Sequence, residues 1–527
     1  MIVDPSGQEA APSPQRGSIV FTDCTVKRLP GAATADWMLV EDGRVAALGS
    51  GSNRPNAHHV VHLDGATVLP AFCDAHVHLP ATGIYASGMD FRGETKKGRI
   101  IDDFRRAATD KGLLFGGNFE DPLDEPITRR DLDAAVGDRP ALLVRADMHS
   151  CVASTTLLDE LDVSGLEGVD VDEASVPTGY LRERAAAAAW NRFETSLSSS
   201  QQRDAIRRAV SLAYAKGIAE VHEMHVVEWR GWDAFDVLRA AVDDVALQVV
   251  PCVASDDVER VRGMGLSRIG GDWFLDGSFG SHTAWLTEPY RGTPPAGTPA
   301  TGIAYRSDGE LFELFLSAQR VHMQVGVHAI GDAAIEQAVA TWERVADAEG
   351  VASVRALGHR IEHFECASDD HMGRAARLGL RASVQPAFDL LWGGDDGLYA
   401  RRIGPERARL MNRFETMTSH GLLVGAGSDS TVTPLDPFLA MKALRSHHVD
   451  GERSGRTQAI RLNTMGSRLL ARRTGPAGVL EPPLAADFVA VDRDPAATDA
   501  EELGSIEIIG TWIGGMRVHP EEARERE

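Results

Sequence analysis

LPAFCDAHVHL, residues 69–79, decides how the rest of the chain is read. Its apolar run ends in His76 and His78, two positions apart. On an extended strand, where side chains alternate between faces, both imidazoles point the same way and can grip one cation through neutral ring nitrogens. An isolated pair of this kind is equally what an ordinary polar strand end carries, so the reading turns on the sequence downstream.

Downstream, apolar strands alternate with amphipathic helices. Strands are expected at 71–78, 217–223, 246–253, 271–277, 323–330, 359–365, 381–386 and 422–429. Helices fit between most of them, such as QQRDAIRRAVSLAYAKG ending at Gly217 and DAAIEQAVATWERVADAEG ending at Gly350, each stopped by a glycine. Eight such units predict an α/β fold, a (β/α)8 TIM barrel over 71–471. In that barrel all strand C-termini ring one mouth, so His328, His363 and Asp429 converge there with His76 and His78. Packing alone explains four histidines and an aspartate at one mouth poorly. They predict a divalent metal, zinc by its donor set, that brings the pKa of a water near neutrality while Asp429 accepts the proton.

Other residues have weaker credentials. His359 to His363 matches H-x-x-E-H, but that zinc-protease pattern needs a helix, and the segment lies at a strand position. His222 and His225 with Glu223 close the second strand, and His149 closes PALLVRADMH (140–149); His222 and His149 are candidates for the substrate pocket, with capping of strand ends as the alternative. The glycines of GAGSDS lack phosphate-loop spacing and are expected to make room beside Asp429.

Outward from the barrel, residues 18–70 and 472–520 read as short strands, with Asp42-Gly43 and Asp64-Gly65 as hairpin turns. Together they are expected to form one β-sandwich, preceded by a disordered stretch, 1–17. The strand at 140–149 exceeds the barrel count, and 79–200 is too long for an ordinary loop. That segment is read as an insertion covering the mouth and forming part of the substrate pocket, with a dimer contact on the barrel flank as the alternative use. Lys and Arg number 54 against 77 Asp and Glu, a net charge of −23, which disfavours nucleic acid and anionic membranes as partners. Five scattered cysteines without a C-x-x-C pair exclude a disulfide scaffold, and no signal peptide or apolar span is evident, so a cytoplasmic protein is expected.

LPAFCDAHVHL resembles the first barrel strand of the amidohydrolase superfamily, and VEDGRVAALG with GVLEPPLAADFVAVD resembles that family's terminal β pieces. PTGYLRE, DGSFGSHTAWLTEPY, VHAIGDAAI, HRIEHFE and GSDSTVTPLDPF are similar to the branch holding the N-substituted formamide deformylases and YtcJ-like proteins. The resemblance implies metal-dependent hydrolysis of a non-peptide C–N bond in a small molecule by metal-bound hydroxide. It also implies His76, His78, His328, His363 and Asp429 as ligands, Asp429 as general base and His363 as a second catalytic group. Hydrolytic deamination of an aminated heterocycle, signalled by ammonia release, and a catalytically silent ligand-binding barrel, signalled by metal-free protein, are the rivals.

The chain departs from that branch on the fourth strand. A carbamylated lysine usually bridges two metals there, whereas this sequence has Asp272, followed by Trp273 and Asp276, all three assigned to the pocket. Because an aspartate side chain is several bonds shorter, it reaches a bridging position only if its strand moves inward. One tightly bound ion is therefore the expectation.

Overall fold

The computed structural model describes residues 17–520 apart from 29–32, 111, 120–122, 146–149, 162, 164, 165, 167, 295–297, 473 and 474. These form two compact units, one from the chain up to 78, 211–226 and 242 onward, the other from 79–210 and 227–241. His149 and the stretch 1–16 lie outside the described residues.

Eight parallel strands organise the first unit: β1 (Phe72–Val77), β2 (Ile218–Val226), β3 (Gln248–Ala254), β4 (Arg268–Phe274), β5 (Gln324–Ala329), β6 (Arg360–His363), β7 (Arg381–Val384) and β8 (Leu423–Ala426). They hydrogen-bond in two runs, β3-β2-β1 and β4-β5-β6-β7-β8. A parallel bridge between Val77 and Ser430 joins the end of β1 to the segment after β8, and β3 packs beside β4 without a shared ladder. This is a TIM-barrel-type α/β fold. Every residue of β1, β2 and β5 is buried, as expected of parallel strands covered on both faces. Each strand lies within a few residues of its expected position. The helix Asp332–Glu349 ends at Gly350, whose φ of +89° only glycine adopts without strain.

The chain ends meet in a single seven-stranded sheet, not two separately bonded ones: Met516–His519, Ile508–Ile513, Phe488–Val491, His59–Pro70, Ile19–Lys27, Thr34–Glu41 and Arg44–Gly49, in spatial order. Phe488 stacks on Trp512 at 4.8 Å, and Phe21 meets Phe488 edge-on at 4.8 Å. Asp42-Gly43 makes its hairpin, with φ of +48° and +75°. Asp64-Gly65 does not. At φ of +47° and +84° it sits inside the strand His59–Pro70, where the parallel register with Ile19–Lys27 slips from Thr22↔His62 to Cys24↔Ala66. Positive φ serves a bulge as well as a turn, and sequence alone does not separate the two.

The second unit has its own six-stranded mixed sheet, and Leu142–Arg145, the strand in excess of the barrel count, belongs to it. Phe91, Phe115 and Phe119 are 0–3% exposed, and Phe115 meets Tyr85 at 4.8 Å, so these aromatics build the unit's own core. Gly83 permits a close helix approach there: a Cβ would stand 1.7 Å from the carbonyl oxygen of Ala205. No helix among the described residues is long and apolar enough to cross a membrane.

Candidate metal centre

The C-terminal ends of β1, β5 and β6, the segment after β8 and a residue of β4 deliver six side chains to one place. His76 Nε2 lies 3.3 Å from Asp272 Oδ2 and 3.6 Å from Asp429 Oδ1. His78 Nε2 lies 3.1 Å and 3.2 Å from the same two oxygens. On the other side, Asp272 Oδ1 is 3.6 Å from His328 Nδ1 and 3.6 Å from His363 Nε2. All the predicted ligands, His76, His78, His328, His363 and Asp429, are brought together, and Asp272 sits among them.

Each imidazole uses its other nitrogen outward. His76 Nδ1 donates to Glu362 Oε2 at 3.1 Å, His78 Nδ1 to the Met224 carbonyl at 3.0 Å, His363 Nδ1 to Gln385 Oε1 at 2.7 Å, and His328 Nε2 to the Gly277 carbonyl at 3.2 Å. Spending the ring N–H on an outer acceptor leaves the second nitrogen's lone pair aimed inward, as a metal ligand requires. His76 Nε2, His328 Nδ1 and Asp272 Oδ1 are buried with no hydrogen-bond partner among the described residues. Their neighbours are close enough to share an ion yet poorly aligned to bond one another. An uncompensated buried set of this kind fits a divalent cation. Burial opposes protonation of His76 and His78, but the Asp272 and Asp429 carboxylates outweigh it and push His78 up to about 10. The negative field that raises this proton affinity is the field that attracts a cation.

Local backbone strain marks the same residues. His363, Phe364 and Asp429 have φ of +71°, +53° and +53°, a conformation costing about 1–3 kcal/mol per residue that persists only where surrounding bonds enforce it. Asp429 N donates to the His76 carbonyl at 2.8 Å and Phe364 N to the Ala329 carbonyl at 3.1 Å. The room provided by Gly427 is beside His76, not Asp429, since a Cβ there would stand 2.5 Å from His76 N.

The pocket candidates separate. Asp272 belongs to the ligand cluster. Its two oxygens lie 3.1–3.6 Å from nitrogens of His76, His78, His328 and His363. Trp273, next along the strand, faces away: its Nε1 donates to Asp256 at 2.8 Å and Arg306 lies over its ring. Asp276 is fully buried and accepts the backbone N–H groups of Trp285, Ile330 and Gly331 at 2.7–3.0 Å, fastening the loop after β4 to the end of β5. Burial pushes its carboxyl up to about 7 despite those bonds. His359 points into the helical layer, stacked on Trp342 at 3.6 Å, so H-x-x-E-H is not a ligand motif here.

His222 lies inside the barrel rather than in the cluster. Arg360 Nη1 donates to its Nδ1 at 2.8 Å, and its Nε2 faces Glu220 Oε1 at 3.2 Å. Burial pushes it down to about 4, with Arg360 adding to the effect. An unfolded ring takes its proton near pH 6.5, so the native advantage is complete above that value and shrinks as the pH falls toward 4. The difference corresponds to about 3 kcal/mol. Urea titrations between pH 7 and 4 should show His222→Gln losing less stability across that window than the parent protein; parallel profiles would mean that the ring titrates normally in the fold.

Arg360 and Glu362, neither of them recognised in the sequence as site residues, support the cluster from below. Arg360 Nε and Nη2 lie 2.8 Å from Glu362 Oε1 and Oε2, and Nη2 also donates to the Ala75 carbonyl at 2.8 Å. Arg360 outweighs burial and pulls the Glu362 carboxyl down to about 2, so it faces His76 as a carboxylate. In a second His/Asp group, Asp389, His447 and His448, both nitrogens of His447 are already bonded, Nδ1 accepting from Val449 N at 3.1 Å and Nε2 donating to the Asn412 carbonyl at 3.1 Å, and His448 Nδ1 lies 2.6 Å from Asp389 Oδ1.

A TIM-barrel-type fold with this mouth defines a metal-dependent hydrolase. The Amidohydrolase family model matches residues 59–519, and the chain belongs to that family. It is 27% identical to YtcJ of Bacillus subtilis (strain 168), an amidohydrolase by assignment, across 91% of this chain and 95% of that protein. It is 24% identical to the N-substituted formamide deformylase of Arthrobacter pascens, across 92% and 94%. These two mark the branch. Among solved structures, an uncharacterized metal-dependent hydrolase from Pyrococcus furiosus aligns with a TM-score of 0.75 and 26% identity over 91% of this chain and 100% of that one.

Proposed function

We propose that this protein hydrolyses a non-peptide C–N bond, of the amide type, in a small molecule. The observation that carries the reading is the set of four imidazoles whose outer nitrogens are all spent on fixed acceptors while their inner nitrogens face two carboxylates. His76, His78, His328, His363, Asp272 and Asp429 would hold the divalent cation, for which zinc suits the nitrogen and carboxylate donors. When bound, such an ion polarises a carbonyl and makes water acidic enough to serve as nucleophile near neutral pH.

The chain supplies the rest. Asp429, fixed by the hydrogen bond its backbone N–H donates to the His76 carbonyl, accepts a proton from the attacking water on its carboxylate and returns it to the leaving nitrogen. Gln385 accepts the His363 Nδ1 proton and so keeps that ring in the tautomer whose Nε2 lone pair faces the cluster. Glu362 keeps His76 in the tautomer whose Nε2 faces the cluster.

An amide substrate finds support in the branch, one relative of which is named for deformylating N-substituted formamides. The test is a panel of N-formyl and N-acyl amines run beside aminated heterocycles, with amine and ammonia measured separately. Release of free amine from the acyl series is expected; ammonia from the heterocycles alone would replace this reading with deamination.

A further inference from the structure

His222 stands in the middle of a buried chain of hydrogen bonds and ion pairs that begins at His76. On β6, Glu362 accepts the His76 Nδ1 proton and pairs with Arg360. Arg360 Nη1 reaches through the interior to His222 Nδ1 on β2, at 2.8 Å. His222 Nε2 lies 3.2 Å from Glu220 Oε1, and Glu220 Oε2 lies 3.5 Å from Arg468 Nη1. Arg468 Nη1 is in turn 3.2 Å from Oδ2 of Asp487, the residue just before the terminal-sheet strand Phe488–Val491. Asp487 Oδ1 accepts Gly514 N at 2.9 Å, in the turn between the next two strands of that sheet. All seven side chains are at most 6% exposed, so water does not compete for their partners.

The donors and acceptors along this chain fix where its protons are. A guanidinium only donates, so His222 Nδ1 presents its lone pair to Arg360. The ring proton is therefore on Nε2, where Glu220 accepts it. Moved to Nδ1, that proton would confront the Arg360 N–H across 2.8 Å. The same order shows why Cys73, Glu220 and His222, close enough together to share a cation, are not a second metal site: His222 has no lone pair left to offer.

We propose that His222 and Glu220 are positioning residues for the metal centre, acting on His76 through Arg360 and Glu362. Glu220 fixes the tautomer of His222, and His222 holds the guanidinium with its remaining N–H groups on Glu362 and the Ala75 carbonyl. Glu362, so fixed, keeps the His76 proton on Nδ1 and the Nε2 lone pair on the cluster. Arg468 and Asp487 balance the charge of Glu220 and anchor the chain in the terminal sheet. The proposal rests on the metal-dependent reading above.

An amide side chain can turn its oxygen to Arg360 and its N–H to Glu220, so His222→Gln keeps both bonds, whereas His222→Leu loses both. Two readouts test this without turnover: Zn(II) affinity of metal-depleted protein against a competing chelator, and the ring tautomers of isotope-labelled histidines by nitrogen NMR of the metal-free protein. In the parent protein His222 should carry its proton on Nε2 and His76 on Nδ1. His222→Leu, and Glu220→Met in which Asp487 still faces Arg468, should give mixed His76 tautomers and bind Zn(II) about tenfold more weakly, the lower end of the effect of a direct outer partner. His222→Gln should restore both. A proton on His222 Nδ1 in the parent protein would overturn the proposal whether or not the variants fold. So would a single His76 tautomer with parental affinity in His222→Leu, or a His222→Gln protein as weak as His222→Leu. No Zn(II) uptake by the parent protein, with the tautomers as expected, would instead overturn the metal-dependent reading itself.

Discussion

Asp429→Asn should leave the protein folded and lower turnover by about 10²–10⁴-fold, the range that general acid–base catalysis supplies. Asparagine preserves the shape of the side chain but cannot take up a proton, so the exchange separates proton transfer from packing. The backbone is expected to tolerate it. Asn is among the few residues that adopt positive φ readily, and Asp429 sits at +53°, held by its N–H bond to the His76 carbonyl. An unchanged thermal transition with the loss of turnover is the expected pair of results. Near-parental turnover would place the general base on another residue.

Arg360→Met should carry the largest stability cost among single substitutions near the site, about 3–5 kcal/mol. Arg360 is 1% exposed and Glu362 fully buried, and their paired atoms lie 2.8 Å apart. Removing the guanidinium leaves a carboxylate in the barrel interior with only the His76 N–H on its outer side, and strips His222 of its donor. Arg360→Met combined with Glu362→Leu should recover much of that stability, because it removes the orphaned charge as well. The double variant should still bind metal about 10–100-fold more weakly, because nothing then holds the His76 tautomer. Chemical denaturation and chelator competition on the two variants read the terms separately. Equal losses of stability in the single and double variants would show that the pair is not a charge-compensation device.

The strands were legible because parallel strands covered on both faces are near-continuous apolar runs, and the helices between them end at glycines such as Gly350. The ligands were legible because a barrel sends every strand end to one mouth, which turned His76, His78, His328, His363 and Asp429 from scattered polar residues into a set. Asp272 was read as a pocket residue, and the structure groups it with the histidines on a strand whose register slips after Gly270, with φ of +87° and +90° at Gly270 and Gly271. The Gly270-Gly271 pair immediately before Asp272 was the available signal, since glycine inside a strand pattern marks a bulge. Asp64-Gly65 shows the same ambiguity in the terminal sheet, where a turn signature serves a bulge. Arg360 and Glu362 carried a signal too, two charges at alternate positions of a buried strand. H-x-x-E-H drew attention to its helical meaning, and the strand alternation that aims Glu362 at His76 went unused. Gln385 lies one residue past β7 and had no motif to announce it.

The central claim is that these side chains hold the catalytic metal. It is tested most directly by anomalous diffraction at the absorption edge of the metal that copurifies with active protein. Anomalous density is expected within this cluster, about 2.0–2.2 Å from His76 Nε2 and His78 Nε2. Active, metal-replete crystals with no anomalous density in this cluster, or with density only elsewhere in the molecule, would contradict it.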